Sequence, residues 1–163
     1  MKLLMENWRR FIKENQHDNL EEFGLYIEMA GYGSNIILTR LGDPGQQPFV
    51  VGVIETMKPD RPCIPDTHEI GSVAIQPDLL NTGTGAYLYE VAAFHVDEQY
   101  QGGISSDHGS SSTIPAARVW NKLDNKLGYI KRKTAPGQEE YNDAGEITGG
   151  NDTFDYDYKT PDP

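Results

Sequence analysis

The stretch Val73-Ala74-Ile75-Gln76-Pro77-Asp78-Leu79-Leu80-Asn81-Thr82-Gly83-Thr84-Gly85-Ala86-Tyr87-Leu88-Tyr89 constrains the fold more than any other part of the chain. A β-branched run ends at Pro77, a short loop follows, and Gly83-x-Gly85 opens an apolar, helix-periodic segment. The residues therefore predict a strand that turns sharply into a helix. Glycines at such a turn let a backbone approach closely, and the first N–H groups of a helix have no partner within it. Two readings follow: a tight strand-to-helix turn with no ligand, or an anion site suited to a pyrophosphate. No Walker lysine follows the glycines, which argues against a P-loop NTPase. The third glycine of a dinucleotide fingerprint is absent as well.

Around this stretch the hydrophobic period changes twice. Leu4, Trp8, Phe11 and Ile12 recur at helical spacing, with Lys2, Glu6, Arg9, Arg10 and Lys13 between them, so residues 1–14 read as an amphipathic helix. Residues 25–29, 35–41, 48–57 and 68–75 then read as strands, separated by Gly- and Pro-rich breaks. A second helix is expected from Gly83 to Glu98, with Leu88, Val91, Ala92 and His95 on its core face. Residues 104–106 give a short strand, and residues 113–126 a third helix with Thr113 as N-cap and Pro115 in its first turn. Residues 128–134 are a further strand. Phe154, Tyr156 and Tyr158 alternate with Asp155 and Asp157, the pattern of a half-buried strand, which leaves 135–151 as a long hairpin loop. Helix, four strands, helix, strand, helix and two strands suggest an α+β or α/β sheet covered by helices.

Composition narrows the function classes. With 163 residues and one cysteine, Cys63, the chain can bury a core without a disulfide framework. No apolar run approaches the roughly 18 residues of a membrane span, and residues 1–14 are too charged for a secretory signal. The expectation is a cytoplasmic protein that binds neither membrane nor nucleic acid, whose binders carry a basic footprint. The net charge of −11 is concentrated in residues 139–163, while Arg118–Lys133 holds six bases against Asp124. No Cys, His or Asp spacing suggests a metal site.

With these residues in place, the chain resembles the GNAT-type N-acetyltransferases. Their acyl-CoA motif runs strand, V-x-P-x-x-R/Q-x-x-G-x-G/A, helix. Ile75, Pro77, Gly83 and Gly85 fall in register with it, and Leu80 stands at the Arg/Gln position. A second family block, N-x-x-A-x-x-L-Y-x-x-x-G-F, is echoed by Thr113–Trp120 and by Gly128-Tyr129. The resemblance is closest to small GNAT-like proteins of tailed phages, in the Gly83–Glu90 helix, the 106–113 block and the strand Phe154–Tyr158. It implies a mixed, largely antiparallel sheet of six to seven strands flanked by three to four helices. Residues 1–15 would be an N-terminal helix and 16–163 one acyl-CoA-binding domain.

The resemblance also implies acetyl-CoA as cofactor and transfer of its acetyl group to an amine acceptor. Val73 and Ile75 would face the thioester. Asn81, Thr82, Gly83, Thr84, Gly85 and Ala86 would cradle the pyrophosphate, and Trp120 would lie along the pantetheine arm. Trp120 holds the register of a family tyrosine that protonates the leaving thiolate, and an indole cannot do so. Candidate bases are His68 and Glu69 at the start of the fourth strand, against ordinary surface polarity. Asp107 and His108 after the fifth strand are a proton relay or a cationic-acceptor site, against a helix-capping turn. A silent GNAT-fold protein acting as a phage virion or host-interaction component is the alternative, and Leu80 and Trp120 support it. The helix at 1–14, ending Ile12-Lys13-Glu14, is similar to phage capsid-targeting peptides, or is the first helix of the domain. The GNAT fold often forms homodimers.

Overall fold

The computed structural model describes residues 23–43, 45–59, 66–106, 113–125, 130–133, 140–141, 147–149 and 156–159. The first four strands are β1 (Phe23–Ala30), β2 (Gly33–Arg40), β3 (Phe49–Met57) and β4 (His68–Ile75). They form an antiparallel meander in which each strand pairs with the next. A two-residue turn joins β1 to β2, with Gly31 at φ +54° supplying the positive dihedral that tight hairpins need. The alternation in β2 predicts one buried face, and Ile36 and Leu38 are indeed buried there. The expected strand at 68–75 coincides with β4.

A short 3-10 turn (Pro77–Leu79) leads from β4 into helix α1 (Thr84–Tyr100), which returns the chain to β5 (Ile104–Ser106). Strands β4 and β5 are parallel neighbours, so the connection between them must cross a face of the sheet, and α1 is that crossover. The helix lies on Ile36, Leu38, Ile54, Ile70 and Ile104. Its expected core face, Leu88, Val91, Ala92 and His95, is buried. Tyr89 and Ala93 are buried too, because helix α2 (Ile114–Asn125) packs on that flank through Trp120. Thr113 Oγ1 accepts the Ala116 N–H at 3.4 Å, the capping role its position suggested.

Beyond β5 come β6 (Ile130–Lys133), β7 (Glu140–Tyr141), β8 (Ile147–Gly149) and β9 (Tyr156–Lys159). The sheet order is β1-β2-β3-β4-β5-β9-β6, with β7 and β8 as a separate ribbon. That ribbon falls inside the stretch expected to be loop; two- and three-residue strands leave no periodic signal. The described residues are therefore mixed α+β: a mostly antiparallel sheet whose body is β1–β5, extended past β5 by the four-residue strands β9 and β6, and two α-helices. The helices are fewer than expected, since the first expected one, at residues 1–14, lies outside the described residues.

The start of the parallel pair depends on a close backbone approach at Gly102. A Cβ there would collide with the backbone carbonyl of Asp66, which cannot swing aside as a side chain can. Gly102→Ala should lower stability by about 1–3 kcal/mol, measured by urea unfolding, whereas a change at the exposed Gln101 should stay within about 0.5 kcal/mol provided Asn or Gly keeps its φ of +57°.

Candidate functional site

Among the described residues, strands β4 and β5 share three rungs: His68 opposite Ile104, Glu69 opposite Ser105 and Ile70 opposite Ser106. The next β4 residue is Gly71. It is skipped in the ladder to β3, since Ile70 faces Thr56 and Ser72 faces Glu55. An extra residue of this kind is a β-bulge, which bends its strand and raises its twist. The bulge therefore sits just past the last described rung that β4 shares with β5. Past it, β4 continues to Ile75 with no strand among the described residues on that edge.

Hydrogen bonding in this free half can be worked out from one bond. Gln76 N–H donates to Val51 O at 2.8 Å, so the even-numbered positions Ser72 and Ala74 turn their backbone groups to β3. The N–H and C=O of Val73 and Ile75 point the other way, into the opening. Both side chains are half-buried on the α1 side of the sheet.

The N-terminus of α1 lies at the same end of β4. Gly83 is the N-cap at φ +94°, ψ −10°, and no side chain caps the helix. The first helical bond recorded runs from Tyr87 N–H to Gly83 O at 3.0 Å, and no acidic residue lies in the first turn. The N–H groups of Thr84, Gly85 and Ala86 thus have no acceptor within the helix, and the dipole adds a partial positive charge. Asn81, at φ +63°, and Gly83 carry the chain through two left-handed positions. Thr82 Oγ1 donates to Leu79 O at 2.8 Å and lies 2.8 Å from Thr84 Oγ1, which stiffens the loop. Gly85 serves packing: a Cβ there would come 3.1 Å from Ile75 Cδ1.

The sequence-derived site residues divide clearly. Val73, Ile75 and Asn81–Ala86 come together at the end of β4 and the start of α1. Glu69 is half-buried and faces away from α1, because neighbours on a strand point to opposite faces. His68, expected beside it as a base, is 1% exposed and stacks on Tyr100 with ring centroids 4.3 Å apart. Burial pulls its pKa down to about 4, with Lys58 and His95 adding to the shift and Asp66 opposing it. Trp120 is 1% exposed and meets Tyr89 edge-on at 5.0 Å, so it is a packing residue of the α1–α2 seam. Leu80 is exposed. Asp107, His108, Cys63 and Gly128-Tyr129 lie outside the described residues.

Two residues of this region escaped sequence reasoning. Gly71 had a signal, an isolated glycine in a strand pattern, which often marks a bulge. Arg40, from β2, had none. Its Nη1 pairs with Asp78 Oδ2 at 3.1 Å, bringing a cation to the loop between β4 and α1 from 38 residues away in sequence. Among the described residues no group of three His, Cys, Asp or Glu side chains could hold a metal ion, and no helix is long and apolar enough to cross a membrane.

No family model matches the chain, and no curated protein matches it. Among solved structures it is similar to IAA acetyltransferase from Bacillus cereus ATCC 14579, at 18% identity and TM-score 0.43, over 78% of this chain and 75% of that one. It is also similar to a protein described as an acetyltransferase of the GNAT family from Bacteroides thetaiotaomicron, at 19% identity and TM-score 0.36. That overlap covers 89% of this chain and 65% of the other. Neither overlap reaches a TM-score of 0.5, so neither carries weight beside the strand order and the geometry at β4.

Two buried histidines make stability depend on pH. His95, 2.9 Å from Ser34 Oγ, is also held below its ordinary pKa by burial, against the raising effect of Glu98. For His68 the unfolded chain binds more protons than the folded one between about pH 4 and 6.5, and the lowered His95 acts in the same direction. Stability is full above about pH 6.5 and falls as acid is added, by up to about 1.4 kcal/mol per pH unit for His68. Melting temperatures between pH 7.5 and 4.5 should show this decline, and His68→Phe should flatten it.

Proposed function

We propose that the chain is a GNAT-like, CoA-dependent N-acyltransferase that moves an acetyl group from acetyl-CoA to an amine. The observation that carries the reading is the β-bulge at Gly71, just past the last described rung of the parallel pair, on the strand that leads into an uncapped helix N-terminus. An acyl-CoA has a thioester at one end of its pantetheine arm and a pyrophosphate at the other. The free backbone groups of Val73 and Ile75 suit the first, and the Thr84–Ala86 amides suit the second. In this reading residues 16–163 form the acyl-CoA-binding domain and residues 1–15 an appended helix.

The chemistry asks little of the side chains. Holding amine and thioester together removes most of the entropic barrier. As the amine nitrogen bonds to the carbonyl carbon, negative charge grows on the carbonyl oxygen, and an outward N–H of β4 stabilises it. The C–S bond then breaks and CoA leaves as thiolate. Glu69 is the better-placed base for the amine proton, since His68 is enclosed and opposes protonation down to about pH 4.

Leu80 and the buried Trp120 favour a second reading, a catalytically silent domain of the same fold acting as a phage virion or host-interaction component. Neither side chain supplies the polar group that the family pattern has there. Thermal-shift titration with acetyl-CoA and native mass spectrometry of the purified chain test the first reading. Acetyl-CoA should raise the melting temperature by several degrees, and Gly83→Glu should abolish the shift by placing a carboxylate at the phosphate site. No shift at millimolar acetyl-CoA and no retained CoA would overturn it. Shift without acetyl release to any amine would favour the silent domain.

A further inference from the structure

The helix N-terminus supplies partial charges but no full cation, and Leu80 provides none. Arg40 does so from another part of the fold. It ends β2, opposite Phe23 of β1 and Phe49 of β3, at the end of the sheet where β4 ends. Its guanidinium carbon lies 5.4 Å from the Phe23 ring centroid and 6.0 Å from that of Phe49. These two rings and Asp78 hold the planar group in place, so little side-chain entropy remains to be lost on binding. A guanidinium has five N–H donors. The recorded bond to Asp78 uses one at Nη1, and Nε is buried with no hydrogen-bond partner. The side chain keeps 29% of its surface exposed, so it is partly open to a ligand although its Nε is enclosed. Lys58, by contrast, pairs with Asp66 near the opposite end of β4.

We infer that Arg40 is a phosphate-binding residue of the acyl-CoA site, replacing from β2 the cation that the loop itself lacks at Leu80. The inference rests on the acyltransferase reading and adds to it the residue that recognises the dianionic pyrophosphate. Asp78 acts as a positioning residue: it holds the guanidinium beside the turn that leads from β4 into α1, and its own carboxylate, more than half exposed, stays in water.

The test is calorimetric titration of the unaltered chain and of Arg40→Met, Arg40→Lys and Asp78→Asn with acetyl-CoA and with inorganic pyrophosphate. Methionine keeps an apolar stem between the two rings and removes the donors. Arg40→Met should weaken both ligands by about 10-fold, as expected for one lost charge-assisted interaction. Arg40→Lys should fall between it and the unaltered chain, and melting temperature reports whether each variant is folded. Asp78→Asn should bind no more weakly than the unaltered chain, since its amide oxygen can still accept the Nη1 hydrogen bond that positions Arg40 while a negative charge near the phosphates is removed. If acetyl-CoA binds the unaltered chain and Arg40→Met or a folded Arg40→Lys equally well, the inference is overturned and the acyltransferase reading stands. If pyrophosphate binding depends on Arg40 but acetyl-CoA does not bind, the anion site stands and the acyltransferase reading falls. Binding of neither ligand overturns both.

Discussion

Everything distinctive about this fold turns on how β4 satisfies its backbone. On one edge it has a long antiparallel partner in β3; on the other, among the described residues, it has β5 for three rungs. A buried strand edge left unpaired is costly, because each orphaned N–H or C=O loses its water without gaining a partner. The Gly71 bulge comes beside the last described shared rung, and beyond it Val73 and Ile75 turn their backbone groups away from β3. An added Cβ at Gly71 would press on the Met57 thioether, which can move, so the bulge tolerates modest crowding that Gly102 does not.

Electrostatics follows from the same geometry. A chain of net charge −11 repels anions at long range, so any anion site has to be local. The end of the sheet where β2 and β4 terminate meets this requirement: it gathers the uncapped α1 N-terminus and the Arg40 guanidinium, tied together through Asp78. The His68–Tyr100–His95 cluster lies at the other end of α1, inside the core, with Tyr100 stacked on one ring and edge-on to the other at 6.3 Å. It contributes packing and acid sensitivity. Glu69, the next residue of the same strand, lies on its opposite face and outside this cluster.

Much of the architecture was legible because the signals were local. The four strands of the meander, the Gly83 turn and α1 all follow from side-chain period and turn chemistry within about ten residues. The pairing of Val73 and Ile75 with the Gly83–Ala86 loop was legible too, since the intervening chain is short. His68 and Glu69 were not separable by sequence, because both are polar residues opening a strand and only the sheet says which face is covered. Trp120 offered an aromatic at a family position, and α2 turned it into the seam against Tyr89.

The sequence by itself thus determined a strand-turn-helix unit with an open helix N-terminus, since glycine dihedrals and hydrophobic period act over a few residues. Tertiary structure alone decided three things: that the bulge falls at Gly71 beside the parallel pair, that His68 is enclosed, and that Arg40 reaches Asp78 from two strands away. The last contact spans 38 residues of sequence. No pattern of period or capping encodes such contacts, because they exist only once the sheet has set its register.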